Sequence, residues 1–371
     1  MVIDPGVLGT PQTGADITRA KVAESGGKVL EELITLSQSG ADRNNATEVM
    51  RNGASKIVRG LHFADKVDGI IALGGSTGTA IGTTVMKTLP IGVPKLMVST
   101  YFYSDYVGEK DITMMQTPAD IAGLNRIMKR SLSQAAGAIV GMVESSVPDE
   151  EVKPLIGITG LGVTTPAVMK IRNILEGNGY ETVVFHNKTG VLDELIEEGT
   201  IKGVIDLTPN ELIGIHIMKT ISDRADRLNI AGEKGLPQMI CPGGLDMIIF
   251  NTSKDNIPDK FRTRRLSTHG PHVTLARTNE EENSILGKII AKRANEAKGE
   301  VRIVIPLRGF SEVDKEGQVF HDPGIDRVLS EVVKENVKEP VKVIEIDVHI
   351  NDDEFAGKAV DIFGEINAGD K

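Results

Sequence analysis

Short runs of valine, isoleucine and leucine alternate with longer amphipathic stretches along almost the whole chain. The runs are apolar throughout, which is typical of strands buried on both faces of a parallel sheet. In the longest amphipathic stretch, apolar residues recur every three or four positions from Asp120 to Val143, which predicts one helix with a single apolar face. Alternating strands and helices predict an α/β fold with doubly wound, mostly parallel sheets. The predicted strands are 67–73, 95–99, 155–159, 182–185, 203–207, 301–307 and 341–348.

The chain has 371 residues, which is enough for two domains of ordinary size. After the long predicted helix, the segment from Glu144 to Glu151 is polar and contains Pro148, and a fresh apolar run follows it. Polar linkers of this kind mark domain boundaries. We therefore predict a first α/β domain over 1–150 and a second over 151–371.

Composition restricts the partners that the chain can have. The formal net charge is -10, and aromatic residues make up 4% with no tryptophan, which disfavours direct nucleic-acid binding. The single cysteine, Cys241, cannot form an intramolecular disulfide, so a cytoplasmic location fits best. The amino terminus lacks the features of a signal peptide, and the apolar run 135–143 is shorter than the roughly 20 residues that span a bilayer. We therefore expect a soluble protein without membrane association.

A glycine-rich loop follows the predicted strand 67–73 and precedes a predicted helix. Glycines let a ligand approach the backbone closely, and the free amides at the start of the following helix would point at a bound anion. Hydroxyl side chains in the loop add further donors. A tight strand-to-helix turn without a ligand explains the same residues, so both interpretations stay open. The predicted phosphate-binding residues are Gly74, Gly75, Ser76, Thr77, Gly78 and Thr79.

The second predicted domain repeats this arrangement. Gly160 ends a predicted strand and is followed by Thr164 and Thr165, where Thr165 is a natural N-cap and Pro166 a natural first helical residue. Ligands of open α/β sheets bind at the carboxyl ends of strands, so we expect these loops to converge on one anion pocket. Further glycine loops follow strands at Gly243 with Gly244 and at 308–311.

Familiar nucleotide-binding signatures are absent from the sequence. No Gly-x-x-x-x-Gly-Lys-Ser/Thr motif occurs, and no Gly-x-Gly-x-x-Gly motif opens either domain. An NAD-dependent dehydrogenase is therefore disfavoured.

Several polar residues are candidates for catalysis. His269 lies in a His-Gly-Pro-His turn and is a candidate proton carrier, and Arg277 suits contact with a phosphate. Glu211 and Asp246 follow predicted strands and are candidate acids, although a first-turn helix acid is the more frequent explanation for Glu211. The spacing of the histidines, Cys241 and Asp246 matches no zinc pattern, so no metal site is predicted. No nucleophile with an adjacent base can be identified from spacing.

The order of these motifs is similar to that of one known family. The chain resembles the ATP-binding domain family that includes the amino-terminal half of a plant tobamovirus-resistance protein and uncharacterised bacterial and archaeal members. The resemblance covers essentially the whole chain and implies two Rossmann-like domains, ATP as the cofactor with or without Mg²⁺, and homodimers. The motifs that carry it are 74–79, 111–112 with 122–126, 162–166, 242–246, 273–278 and 322–323.

The chain departs from that family in its first domain. Members usually open with a strand that leads into Gly-Thr-x-Asp-Thr-Lys, and no such strand is present here, so the first sheet is expected to lack its usual opening strand. The second strand would then end at Asp4, where a Rossmann-type domain places an acid for the ribose. Thr100 begins a loop at 100–105 that is bulkier than the family's small-residue loop, and we expect Thr100 to contact the ligand.

Three functions are compatible with these features. The leading hypothesis is a regulatory or scaffold-like ATP-binding protein whose ligand lies near the cleft between the domains. The alternative is an enzyme that acts on a phosphorylated or carboxylated metabolite in that cleft. A third possibility is a protein-interaction scaffold, because Gly137 and Gly141 on the long predicted helix would permit close helix approach at a dimer interface.

Overall fold

A computed structural model describes residues 1–9, 11, 14–38, 43–145, 152–186, 189–220 and 227–367 of the chain. The chain divides into two compact units, Met1–Glu150 and Glu151–Lys371. Most of the predicted linker, residues 146–151, lies outside the described residues.

The first unit contains a three-stranded sheet and five helices in its described part. The sheet order is β1-β2-β3, and both neighbouring pairs are parallel. In chain order the elements are α1 (Arg19–Ser25), α2 (Leu30–Gln38), α3 (Arg43–Phe63), β1 (Ile70–Gly74), α4 (Ser76–Lys87), β2 (Lys95–Ser99), β3 (Thr113–Gln116) and α5 (Arg126–Glu144).

Helices cover both faces of this sheet. Strand β2 is buried along its whole length, so its side chains point alternately to two apolar layers. Leu96 and Val98 pack with Ala135 of α5, whereas Met97 packs with Met86 of α4. This arrangement confirms the predicted doubly wound parallel architecture.

Helix α5 begins later than the apolar periodicity predicts. The chain at Gly123 has a positive φ of 87°, which a helix does not accommodate. Asn125 then caps the helix, since its side chain accepts hydrogen bonds from the amides of Ile127 and Met128 at 3.0 Å each. The prediction that the helix starts at Asp120 is therefore wrong by six residues, although its apolar face is correct.

The strand expected to end at Asp4 does not form in the described part of the first unit. Among the described residues before β1 there is only one isolated parallel bridge, between Ile3 and Ile17, in place of the expected strand ending at Asp4. No described strand pairs with the outer side of β1. A cavity of about 820 Å³ borders this free side and is lined mostly by apolar side chains that include Ile71 and Leu73.

The second unit is built on a six-stranded sheet. All of its neighbouring strands are parallel, and their order is β12-β11-β7-β6-β4-β5. Its elements are β4 (Leu155–Gly160), α6 (Thr165–Gly177), β5 (Glu181–His186), α7 (Thr189–Glu197), β6 (Ile201–Asp206), α8 (Asn229–Glu233), β7 (Gln238–Ile240), β8 (Met247–Phe250), β9 (Leu266–Thr268), β10 (Thr274–Arg277), α9 (Glu280–Glu296), β11 (Val301–Pro306), α10 (Pro323–Asn336), β12 (Lys342–Ile346) and α11 (Asp353–Asn367).

A small antiparallel sheet with the order β8-β10-β9 is inserted between β7 and β11. This sheet could not be predicted from the sequence, because its strands are only three or four residues long. The fold class is nevertheless the predicted one: an α/β protein with mostly parallel sheets, consistent with two Rossmann-like domains.

Candidate functional site

The clearest candidate site in the first unit is the amino end of α4. Its N-cap residue, Gly75, has extended backbone and no side chain that could cap the helix. Within the described chain, the amides of Ser76, Thr77 and Gly78 donate to no protein acceptor, while the amide of Thr79 donates to the carbonyl of Gly75 at 2.8 Å. Ser76 and Thr77 are exposed to solvent. These amides and the helix dipole therefore form a positive, accessible surface suited to an anion.

Two of the loop glycines are explained by packing rather than by a ligand. A Cβ atom on Gly74 would lie 2.6 Å from the Cα of Gly78, and one on Gly78 would lie 3.2 Å from the carbonyl oxygen of Leu73. The helix therefore begins in direct contact with the end of β1. Gly75 is different. A Cβ atom on Gly75 would have only the Thr100 hydroxyl within 4 Å, at 3.4 Å, so the space around that Cβ position is otherwise open.

The Thr79 hydroxyl is buried and already hydrogen-bonded within the protein. It lies 2.5 Å from the Ser99 hydroxyl and 2.8 Å from the Gly75 carbonyl oxygen, and the Thr79 side chain is fully buried. The amide of Thr100 donates to the Gly74 carbonyl at 3.2 Å. Thr79 thus fastens α4 to the end of β2, and the groups left to meet a ligand belong to Ser76, Thr77 and Thr100.

Asp4 lies near the amino terminus and is paired within the protein. One carboxylate oxygen is 2.8 Å from the guanidinium of Arg19, and the other accepts the amide of Gly6 at 2.9 Å. The suggested contact between Asp4 and a ribose stays a prediction.

The loops at the carboxyl edge of the second unit lie side by side and bond to one another. The hydroxyls of Thr164 and Thr208 are 2.8 Å apart, which joins the loops after β4 and β6. The Thr165 hydroxyl donates to the Leu161 carbonyl at 3.0 Å. The prediction that Thr165 is the N-cap is wrong by one residue, because Thr164 is the N-cap and Thr165 is the first residue of α6. A Cβ on Gly160 would lie 2.7 Å from Val168, so close helix packing accounts for that glycine.

The amides of Gly243 and Gly244 are also used internally. They donate to the carbonyls of Leu207 and Phe310 respectively, each at 3.0 Å, and so connect β7 to the loops after β6 and β11. Gly244 has a positive φ of 69°, which favours glycine at that position. These two amides hold the loops after β6, β7 and β11 together and are not free donors.

Asp246 belongs to a buried cluster around Arg277. The Arg277 guanidinium bonds the Asp246 backbone carbonyl at 3.1 Å, lies 3.4 Å from the Asp314 carboxylate and contacts Asp326 directly. The Asp246 side chain accepts a hydrogen bond from Ser311 at 2.7 Å, and its other oxygen has no partner in the described chain. Arg277 therefore binds carboxylates of its own unit.

One guanidinium cannot neutralise three buried carboxylates. Burial raises the pKa of Asp246 to about 6 and that of Asp314 to about 9, and it also raises the pKa of Asp326. The cluster therefore retains a proton at neutral pH. Asp314 and Asp326 could not be identified from the sequence, since nothing local distinguishes them from other acids in first-turn or loop positions.

Glu211 and His269 have partners other than those of Asp246. Glu211 is 3.7 Å from the guanidinium of Arg227, a fully buried side chain that also bonds Asp206 at the end of β6. His269 is exposed in the turn between β9 and β10, where its amide donates to Val273 at 2.9 Å. This turn is at the opposite end of β10 from Arg277, about 10 Å away at the usual rise of a strand. His269 is therefore separated from Asp246 and Arg277 by the length of β10, whereas Glu211 is paired with a different arginine.

The arginines before His269 are engaged in ion pairs. Arg264 makes two hydrogen bonds to Glu282, at 2.6 and 2.9 Å, and Arg265 bonds Asp322 at 3.1 Å. Cys241 is fully buried, and burial raises the pKa of its thiol, so it behaves as a small apolar residue. The described residues contain no group of three or more side chains suited to holding a metal ion.

This geometry defines a two-domain α/β protein with an uncapped helix amino terminus at the end of a strand in its first domain. The chain belongs to the UPF0261 family: residues 1–148 match the N-terminal domain of that uncharacterised protein family, and residues 153–367 match its C-terminal domain. No helix in the described part of the chain is both long and apolar enough to cross a membrane.

Relatives occur in bacteria and in a plant. The chain is 42% identical over 365 residues to a UPF0261 protein of Clostridium tetani, covering 96% of this chain and 89% of the relative. It is 35% identical over 372 residues to one of Mesorhizobium japonicum, covering 95% and 93%. It is also 36% identical over 316 residues to the ToMV resistance protein Tm-1(GCR237) of Solanum lycopersicum, covering 81% of this chain but 41% of that protein.

Proposed function

We propose that this protein binds a nucleotide, ATP with or without Mg²⁺, through the amino end of α4 in its first domain. The observation that carries the proposal is the set of unpaired amides at Ser76, Thr77 and Gly78 in an exposed turn. A phosphate group accepts hydrogen bonds from such amides and is stabilised by the helix dipole. The site also lies at the carboxyl end of a parallel strand, where open α/β sheets hold their ligands.

The surrounding hydroxyls favour a polyphosphate over a single small anion. Ser76 and Thr77 present side chains beside their own amides, and the Thr100 hydroxyl lies on the open side of Gly75. Together these groups offer more donors than one phosphate group needs. The loops of the second domain and their position relative to this ligand stay predictions, as does the cleft between the domains.

The proposed role is regulatory or scaffold-like, and the proposed location is cytoplasmic. In support, His269, Glu211 and Asp246 each have a structural partner of their own. The alternative function, an enzyme for a phosphorylated or carboxylated metabolite, is favoured by one observation. Asp246 has a buried carboxylate oxygen without a hydrogen-bond partner and a raised pKa, as general acids often do.

The proposed assembly is a homodimer formed through α5. Val140 is 51% exposed on this helix, and a Cβ added at Gly137 or Gly141 would meet nothing within 4 Å. Small residues at this spacing allow two helices to approach closely.

Isothermal titration calorimetry of the full chain with ATP, ADP, AMP and tripolyphosphate tests the nucleotide proposal. We expect saturable heat with ATP and weaker binding as phosphates are removed. No heat with any of these ligands, with and without Mg²⁺, would contradict it. For the enzyme alternative, Asp246→Asn should retain ligand affinity and lose turnover if Asp246 acts as the acid.

A further inference from the structure

The loop that follows β2 carries three consecutive aromatic residues on the protein surface. Tyr101, Phe102 and Tyr103 are 49%, 55% and 50% exposed. The chain contains only four tyrosines and no tryptophan, and every tyrosine except Tyr180 lies in this loop or directly after it, at Tyr106. Such a concentration of aromatic surface in an aromatic-poor chain indicates a binding role.

These rings do not contribute to a core. They belong to none of the buried apolar clusters of the described chain, and the ring contacts of Tyr101 and Tyr103 are with the nearby Tyr106. Tyr106 meets Tyr101 edge-on with ring centroids 6.3 Å apart, and it meets Tyr103 edge-on at 6.1 Å. Burial therefore does not explain why the loop is aromatic.

The aromatic loop is fixed to the same helix that offers the free amides. The Tyr101 amide donates to the Ser99 hydroxyl at 2.9 Å, and that hydroxyl contacts Thr79 in the first turn of α4. At its other end, the Asp105 carbonyl accepts a hydrogen bond from Lys87, the last residue of α4, at 3.2 Å. The loop therefore runs beside α4, starting at the turn that would hold the phosphates.

We infer that Tyr101, Phe102 and Tyr103 form the surface on which the aromatic base of a nucleoside phosphate stacks. The inference rests on the proposed anion site at α4 and names the class of ligand that this site takes. Exposed aromatic rings stack on bases without needing base-specific hydrogen bonds. The surface therefore adds affinity for a nucleotide but none for a sugar phosphate, which has no base. A ligand with phosphates and a base contacts both the amides of α4 and the aromatic rings, whereas a phosphorylated metabolite without a base contacts only the amides.

Tyrosine emission provides a direct readout of stacking. Because the chain has no tryptophan, its intrinsic emission comes from tyrosine, and most of its tyrosines lie at the proposed surface. We expect ATP to quench this emission and tripolyphosphate to leave it unchanged at concentrations that saturate the site. Free N-acetyltyrosinamide titrated with the same ATP concentrations corrects for light absorbed by the base. The variant Tyr180→Phe removes the tyrosine of the second unit and should be quenched at least as strongly as the parent protein.

Affinity measurements then separate the base from the phosphates. The variants Tyr101→Ala and Phe102→Ala should each weaken ATP binding by about tenfold and leave tripolyphosphate binding unchanged. Phe63→Ala is the matched control, since Phe63 is an exposed aromatic residue of the same unit at the end of α3. It should bind both ligands like the parent.

The outcomes distinguish this inference from the function on which it rests. If tripolyphosphate binds but ATP binds no more tightly, and the loop variants leave ATP affinity unchanged, the stacking surface is refuted while the anion site stands. If neither ligand binds, both are refuted. If the loop variants change only self-association, the aromatic loop is a protein interface, which also overturns the inference.

Discussion

The hydroxyl of Thr79, in the first turn of α4, lies 2.5 Å from the hydroxyl of Ser99 at the end of β2. This contact fixes the start of the helix against the neighbouring strand. It therefore sets where the free amides of the preceding residues point. The orientation of the proposed anion site depends on this contact.

Replacing Thr79 by valine should destabilise the first domain by about 1–3 kcal/mol, because it removes a buried hydroxyl from a shared hydrogen-bond network. Thr84→Val is the matched control. The Thr84 hydroxyl also bonds the carbonyl four residues earlier, at 2.8 Å, but makes no hydrogen bond to a neighbouring strand in the described chain. Chemical denaturation should show a loss of unfolding free energy for Thr79→Val that clearly exceeds the loss for Thr84→Val, and equal losses would contradict this role.

Gly74→Ala should destabilise the protein by about 1–3 kcal/mol, since the added Cβ would lie 2.6 Å from backbone at Gly78. Gly60→Ala, in the exposed interior of α3, should do the opposite and stabilise by up to about 1 kcal/mol, because nothing lies within 4 Å of its Cβ. Thermal melts of the two variants measure the difference in sign. A neutral Gly74→Ala would mean that close packing does not explain this glycine.

The buried cluster around Arg277 should make stability fall as pH rises from about 4 to 9. The folded-state pKa of Asp314 is raised to about 9, so this carboxyl group holds its proton in the folded state and loses it in the unfolded state across that range. Its stabilising contribution is complete below the unfolded pKa and is lost as pH rises through the folded pKa. Each retained proton adds a slope of up to about 1.4 kcal/mol per pH unit.

Asp314→Asn should flatten this dependence, because asparagine mimics the protonated acid and does not titrate. The exposed Asp361→Asn on α11 is the control and should keep the parent slope. Urea denaturation at a series of pH values tests the prediction. If Asp314→Asn leaves the pH dependence of the unfolding free energy unchanged, Asp314 is not the group that retains the proton.

Gly137→Glu should abolish the proposed dimer, because it places a charged side chain on the exposed face of α5 beside Val140. Size-exclusion chromatography with light scattering would show a dimer for the parent and a monomer for the variant. Ser133→Ala, on the same helix, removes only a small polar group and should remain dimeric. A monomeric parent protein would refute the proposed assembly.

The parallel core of the fold could be read from the sequence because its strands are apolar throughout. β2, β4, β6 and β11 fall within or beside predicted runs, since burial on both faces leaves a continuous signal. The start of α5 could not be predicted, because the apolar periodicity of the sequence begins before the helix does. The positive φ at Gly123 and the cap at Asn125 delay the start of the helix. The short strands β8, β9 and β10 carry too few residues for a pattern.

The candidate site was only partly accessible from the sequence. Glycine loops were expected to offer amides to a ligand, yet the amides of Gly243 and Gly244 donate to neighbouring loops, whereas those of Ser76 and Thr77 have no acceptor in the described chain. The two situations look alike in sequence, because the difference depends on which carbonyl a distant loop brings near. For the same reason the carboxylate partners of Arg277 could not be foreseen.

Calorimetric titration of ATP into the variant Thr77→Glu is the sharpest test of a phosphate site at the amino end of α4. A carboxylate at this position repels a phosphate but stabilises the helix amino terminus, so binding and stability should change in opposite directions. We predict ATP affinity at least about tenfold weaker than the parent's with an unchanged or higher melting temperature, while Ser133→Glu on α5 keeps the parent affinity. Equal ATP affinity in the parent and Thr77→Glu would contradict a phosphate site at the amino end of α4.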